Sequence, residues 1–429
     1  LLIEGVYMQN QKGIISLCSR ENIGKLLYVT VFLLPLTTWF YIPLVIAFLM
    51  SIYRMYAVRQ VEWKAGSLCE VGAAFLICSF CSVINSLDKI FSIFNWFFLP
   101  CMYAILYMLI VSYLDTIKKK KKLLLCFLGA AAAVAGYGIW QYIHIDYMIA
   151  HVINQEWVDT KEFPHLYRRM YSTLENPNLC ATYFLIVISY VGAFFLFEKE
   201  IKNKVILMGI GSVATLCLAL TYSRGAWVSL LFILFIYASI YDKKIFTLFT
   251  LVPFILYFYE GQVVLRFLSL FSTHDTSVGM RFTLWANTLD IIKDFPLLGC
   301  GWGTFYLTYP MYDSLVKDAG ILIYHAHNMY LSMIATIGFL GAFSYFFILF
   351  GHAWYAWRLY STVTNSFYKA MGLGTLAAVA AISVNGIGDY TLFSVSISMC
   401  YWSMMALFMS CYVDISHSTE PKEQDSMRQ

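Results

Sequence analysis

The string His325-Ala326-His327-Asn328 sits where a long polar segment meets an apolar stretch. A neutral imidazole is one of the few side chains that can take up a proton near pH 7, so this string can supply a general base. Arg224, in TYSRGAW, and Arg281, in GMRFTLW, lie near other apolar borders. Guanidinium groups are planar, permanently charged donors that match phosphate oxygens. A base together with two such arginines points to chemistry on an anionic lipid.

The elements that must position these residues follow from composition. The chain has 429 residues, 60% hydrophobic, 18% aromatic and only 13% charged, with mean hydropathy +0.68. Those values describe an all-α, polytopic membrane helix bundle rather than a water-soluble domain. A spanning helix needs about 20 mostly apolar residues. Such windows recur at 67–86, 96–114, 123–143, 178–197, 205–222, 225–241, 245–260, 328–350, 370–388 and 390–412. Residues 26–57 exceed one span and contain Pro35 and Pro43, so two short helices joined near Tyr41 are expected. A single kinked helix there would reverse the N-terminus. The total is about 12 transmembrane helices.

Short basic loops tend to stay in the cytoplasm, and the run Lys118 to Lys122 fixes one of them. Alternating outward puts Arg54, Arg59 and Lys64 inside, together with Lys199, Lys202 and Lys204, Lys243 and Lys244, and Arg358 and Lys369. Two long segments, 144–177 and 261–326, then face outward, as does the short turn Tyr222 to Gly225. Arg224 breaks the local charge rule; snorkelling at a helix end tolerates it, and an ionisable group at an outer border marks a site. Residues 1–413 read as one transmembrane domain and 414–429 as a polar, disordered cytoplasmic tail. The chain opens on Leu1, and nothing in its first 25 residues has the shape of a cleavable signal.

Eleven cysteines, mostly in apolar windows, imply no disulfide framework. Cys78 and Cys81 lie inside an expected span without nearby ligands and read as small packing residues. The net charge of +4 reflects the inner loops and gives no sign of nucleic-acid binding. In the first outer loop His144, His151 and His165 tempt a metal reading, but spacings of 7 and 14 fit no known ligand string, so no metal is expected. Asn176-Pro177-Asn178 reads first as a turn and helix start, with sugar or phosphate contact from the amides as the second reading.

In the second outer loop Phe282, Trp285, Leu289 and Ile292 recur at helical spacing from Arg281. This predicts an amphipathic helix on the membrane surface, with Arg281 in its first turn. Pro296 and Gly299 end it. The string Gly299-Cys300-Gly301-Trp302-Gly303 lacks a nucleotide fingerprint and instead lets backbone pack closely or approach a ligand. His325, His327 and Asn328 then open the next span.

The order of these strings resembles the O-antigen ligase and polymerase family of bacterial envelope glycosyltransferases. S-R-G stands at an outer turn, R-x-x-x-W follows, then P-x-x-G-x-G-x-G-x-F from Pro296 to Phe305, then H-x-H-N-x-Y-L before a glycine-containing span. The resemblance covers about residues 170–350 and implies a GT-C-like bundle. It further implies an undecaprenyl-pyrophosphate-linked glycan donor, a glycan or lipid A core acceptor, and no cofactor. It makes Arg224 and Arg281 the pyrophosphate ligands and His327 the base. His325 and Asn328, with Arg168 and Arg169 of the first outer loop, are further candidates for substrate contact. The implied place is the bacterial inner membrane, with the site facing the periplasm or exterior.

Elementary chemistry agrees with that scheme. Outside the membrane a bond-forming enzyme needs a donor with its own leaving group, and a lipid pyrophosphate leaves without being protonated. One base then suffices, where a glycosidase needs a carboxylate pair. Direct displacement would invert the anomeric centre. A transporter or flippase of a lipid-linked saccharide is the alternative, although it should hold ionisable groups near the midplane, with Glu70 and Asp389 as the main exceptions here.

Overall fold

A computed structural model of the chain describes residues 15–64, 66–144, 169–250 and 276–419. Among these the regular elements are all helical. Eight helices are long and apolar enough to cross a membrane: α2 (Thr38–Val58), α4 (Lys89–Tyr113), α5 (Ile117–Ile143), α6 (Pro177–Phe197), α7 (Ile201–Leu220), α10 (Met329–Thr362), α11 (Ser366–Gly388) and α12, which runs from Val395 to Thr419. Two shorter apolar helices, α3 (Cys69–Asn85) and α8 (Arg224–Ile240), join them. Helix α1 (Arg20–Leu33) precedes the Pro35 turn, so the region 26–57 is divided in two, with the break at residues 34–37. Lys243–Thr250 forms a 3₁₀ turn, and the rest of the window 245–260 lies outside the described residues. The whole is a multi-pass helical membrane bundle.

Helix α11 sits at the centre, packed against α6, α8 and α10. Its sequence explains this position. Alanine and glycine let backbones approach: a Cβ on Gly372 would stand 2.9 Å from Ala356 O, and one on Gly374 would stand 3.1 Å from Ser189 O. Tyrosine hydroxyls then bridge helices, Tyr190 to Thr375 Oγ1 at 2.9 Å and Tyr330 to Ser383 O at 2.9 Å.

The bundle has two chemically distinct ends. At one, Arg54 grips Glu62 through two hydrogen bonds (2.8 and 3.0 Å), Arg20 reaches both Glu62 and Asp115, and Lys119 pairs with Asp115 at 2.7 Å. Buried Lys120 pairs with Asp414 there. Asp414 thus belongs to α12, which continues beyond the boundary suggested by composition. The starts of α6, α8 and α10 and the end of α11 lie at the opposite end.

Helix α9 (Thr276–Asp294) lies in the segment expected to be the second outer loop. It begins earlier than its apolar period suggests, so Arg281 lies in its second turn. Its docked face is centred differently: Leu284, Thr288, Ile291 and, from the expected stripe, Ile292 are buried, whereas Phe282 and Leu289 remain exposed.

After α9 the glycine string locks into α10. Gly338 (φ +68°) interrupts α10, and a Cβ there would stand 2.1 Å from Leu297 O. Cys300 N–H donates to Ala335 O (2.8 Å), Gly301 N–H to Thr336 O (3.1 Å) and Phe339 N–H to Pro296 O (2.8 Å). Carbonyls freed by the helix break are thereby satisfied by the loop. Close backbone packing, one of the two uses expected of these glycines, is what they do.

Candidate active site

The start of α10 is set by Asn328. Its side chain accepts from Leu331 N–H at 3.0 Å as an N-cap, and its Nδ2 donates to Ile387 O of α11 at 3.0 Å. Both ends of that amide hold helix termini together. Just before it, His327 has a left-handed backbone, φ +45°. Such a conformation costs a non-glycine residue about 1–3 kcal/mol and persists only when its surroundings hold it. Here His327 N–H donates to His325 Nδ1 (3.1 Å), Ala326 N–H donates to Ser332 Oγ (3.0 Å), and Ala326 O accepts from Trp285 Nε1 (2.9 Å).

The strained backbone aims the imidazole at the end of α11. His327 Nδ1 lies 3.0 Å from Asp389 Oδ1, with the histidine side chain 43% exposed and the aspartate 13%. An ionised carboxylate only accepts, so Nδ1 carries the proton and Nε2 keeps its lone pair. Asp389 is held on every side: Tyr390 N–H donates to Oδ1 (2.8 Å) and Asn178 Nδ2 to Oδ2 (2.9 Å). Burial works against its charge. The His327 hydrogen bond, with the charges of His327, His325 and Arg281, outweighs that and holds the carboxyl below the usual carboxylate range.

His325 plays a different part. It is buried against Tyr390 and Phe393. Burial first, then the neighbouring His327, pushes its pKa down to about 3. It is a neutral acceptor for the strained peptide and is turned away from solvent.

The R-x-x-x-W string now has a physical reading. Residues four apart share a helix face, so Trp285, tied to Ala326 O, brings Arg281 one turn away to the same site. Its charge acts on both His325 and Asp389. Arg224 is the first residue of α8, after Ser223, and is 9% exposed. A cation at a helix N-terminus opposes the helix dipole, so both favour an anion in front of them. The adjoining Gly225 packs beside Asn385 Oδ1, and Asn385 O accepts Asp389 N–H at 3.0 Å. The Arg224 turn therefore borders the same end of α11.

Arg169 binds within the protein, Nε donating to Thr221 O (2.8 Å) and Nη2 to Asn178 Oδ1 (2.9 Å). Asn178 follows the Asn176 cap and Pro177, as that triplet predicts. Arg168, His151 and His165 lie outside the described residues.

Beside the site an apolar cavity of about 800 Å³ runs between α3, α4, α10 and α12. Tyr390 and Phe393, which pack on His325, form part of its wall; Tyr103, Tyr107, Tyr345 and Trp402 line it elsewhere. Proline-containing residues Phe97–Cys101 form a π-turn in α4 on this wall.

His325, His327 and Asp389 each offer a ligand atom within 4.8 Å of the others, so this cluster could also hold a cation.

The sequence points to His327 and both arginines, and the fold brings His327 and Arg281 together with the Arg224 turn nearby. It does not point to Asp389 as the partner of His327, nor to Asn178 as the partner of Asp389. Asp389 is visible as a lone carboxylate between two apolar spans, which is the one available signal.

Residues 209–346 match the family model described as O-antigen ligase. That segment includes Arg224, Arg281 and both histidines, and stops short of Asp389. The chain is also similar to the ComP-specific O-oligosaccharyltransferase of Acinetobacter baylyi, 26% identical over 187 residues. That match covers 40% of this chain and 32% of the relative, so the chain spans about a third of the relative's length. With its ordered S-R-G, R-x-x-x-W and H-x-H-N strings folded onto one end of a membrane helix bundle, the chain is similar to the O-antigen ligase family over residues 209–346.

Proposed function

We propose that this protein is a membrane glycosyltransferase. It moves a glycan from an undecaprenyl-pyrophosphate donor to an acceptor hydroxyl on the outer face of the cytoplasmic membrane. The observation that carries this reading is the His327–Asp389 pair: Nδ1 is pinned at 3.0 Å while the half-exposed ring keeps Nε2 for substrate. In the reaction, Nε2 takes the acceptor hydroxyl proton and the acceptor oxygen bonds to the anomeric carbon. The bond from that carbon to the pyrophosphate oxygen breaks, and its electron pair leaves with the pyrophosphate. Attack opposite the leaving group inverts the centre. Arg224 and Arg281 bind the pyrophosphate and stabilise the charge that develops there, with no metal required by the scheme. Asp389 stabilises the imidazolium that forms.

Two further features support the reading. The apolar cavity beside His325 suits part of a long isoprenoid chain. The short basic loops gather at the opposite end, which by the charge rule is cytoplasmic and leaves the site facing the periplasm or exterior. An oligosaccharide moved onto oxygen is also what the relative's name describes. A glycan, or the core of lipid A, is the acceptor.

The test uses purified full-length protein in nanodiscs, with EDTA and undecaprenyl-pyrophosphate glycan extracted from the native host. Lipid A core and host glycan are supplied in parallel as acceptors. Transfer should survive EDTA, fall by about 100- to 10,000-fold in His327→Ala, and fall by about 100- to 1,000-fold in Arg224→Ala. Donor that stays intact with each acceptor, yet crosses a liposome bilayer, would make the protein a transporter instead.

A further inference from the structure

We infer that Arg169 is a positioning residue that couples the turn carrying Arg224 to the base, acting through Asn178. The inference rests on the reading that His327 is the base and Arg224 a pyrophosphate ligand. One edge of the Arg169 guanidinium is divided between two elements. Nε donates to Thr221 O, three residues before Arg224, and Nη2 donates to Asn178 Oδ1 at the start of α6. The adjoining backbone reinforces the first attachment, since Met170 N–H donates to Leu220 O at 2.9 Å.

The second attachment has a chemical consequence. A guanidinium can only donate and an ionised carboxylate can only accept. Between them, the Asn178 amide has one permitted orientation, with Oδ1 toward Arg169 and Nδ2 toward Asp389 Oδ2. That donation fixes one carboxylate oxygen and leaves the other for Tyr390 N–H and His327 Nδ1. Without Arg169 the amide oxygen loses its anchor, and Nδ2 is no longer held in place against Asp389 Oδ2. Asp389 would then rotate away and release the His327 ring. Lysine cannot replace this fork, because a single ammonium centre does not reproduce two fixed N–H directions.

The same line separates the two kinetic constants. Arg169 bonds the donor turn directly, whereas Asn178 bonds Asp389 directly and reaches the donor turn through Arg169. Arg169→Met should therefore raise KM for the donor and lower kcat by about 10- to 100-fold. Asn178→Ala should lower kcat by a similar factor and leave donor KM unchanged. The double variant should have a kcat no lower than Arg169→Met alone, because both changes cut one line. Arg169→Lys should fail to restore kcat.

The measurement is steady-state transfer from the same host-extracted undecaprenyl-pyrophosphate glycan, normalised to folded protein, with His327→Ala run alongside. The inference is overturned if Arg169→Met raises only donor KM and Arg169→Lys rescues it, which would make Arg169 a substrate ligand. Unchanged kcat in Asn178→Ala also overturns it, as does a lower melting temperature in either variant with both constants intact. Full transfer by His327→Ala would instead remove the underlying mechanism, and is read independently of Arg169.

Discussion

Asp389 and Asp414 are two carboxylates at opposite ends of one bundle, and their partners differ in kind. Asp414 receives the ammonium of fully buried Lys120 and the hydroxyl of Tyr368 at 3.2 Å, while Lys120 also donates to Ser410 O at 2.8 Å. An ammonium meets a carboxylate, and α5 is tied to α12. Asp389 receives an amide N–H from Asn178, a peptide N–H from Tyr390 and an imidazole. Of these the imidazole is the one that takes the acceptor's proton in the proposed reaction. The first carboxylate makes a lock, and the second makes a cradle for a partner that must switch.

Substitution should separate the two by readout. Asp389→Asn keeps the shape of the cradle but offers an N–H to His327, favouring the wrong tautomer. Transfer should fall by about 10,000-fold in protein that still melts near the wild-type temperature. Asp414→Asn should leave the rate per folded molecule unchanged and strand a buried ammonium, lowering stability by about 3–5 kcal/mol in thermal unfolding. Loss of transfer at full stability in Asp414→Asn would erase the contrast.

A smaller effect is expected from Arg281, which stands beside the cradle. Arg281→Ala should lower transfer by about 100- to 1,000-fold, with Arg281→Lys between that variant and wild type, measured as labelled glycan moved to acceptor. Wild-type rates in both would remove Arg281 from the site.

The smallest effect concerns stability. His325 is held down to about 3 in the fold against an ordinary 6.5, so in this interval the unfolded chain binds more protons than the folded one. Stability contributed by neutral His325 is complete above about pH 6.5 and is lost as pH falls toward about 3. His325→Gln should flatten the dependence of melting temperature on pH within that window. An unchanged slope would assign the dependence to other groups.

Much of this arrangement is legible locally. The period that links Arg281 to Trp285 is four residues, and alternation of basic loops predicts which helix ends share a side. Glycines at 299, 301, 303 and 338 announce close backbone approach. The cradle is not legible, because His327 and Asp389 are 62 positions apart and meet only when α10 and α11 pack antiparallel. Asn178 comes from a third helix and Arg169 from the segment before it. The docking face of α9 is legible only in part, since Ile292 belongs to the expected stripe and Leu284, Thr288 and Ile291 do not. Helix ends shifted where polar residues could still continue a helix: α5 begins at Ile117, before its lysine run, and α10 extends past Arg358 to Thr362.

The interruption at Gly338 has an implication for recombination between relatives. Because Leu297 O stands where a side chain on residue 338 would have to go, the two strips form a matched joint. A chimera could exchange residues 276–338 as one cassette and bring its arginine, tryptophan and histidines in register. A crossover placed between the halves of the joint would set foreign backbone against foreign backbone, and specificity would then be inherited in blocks rather than residue by residue.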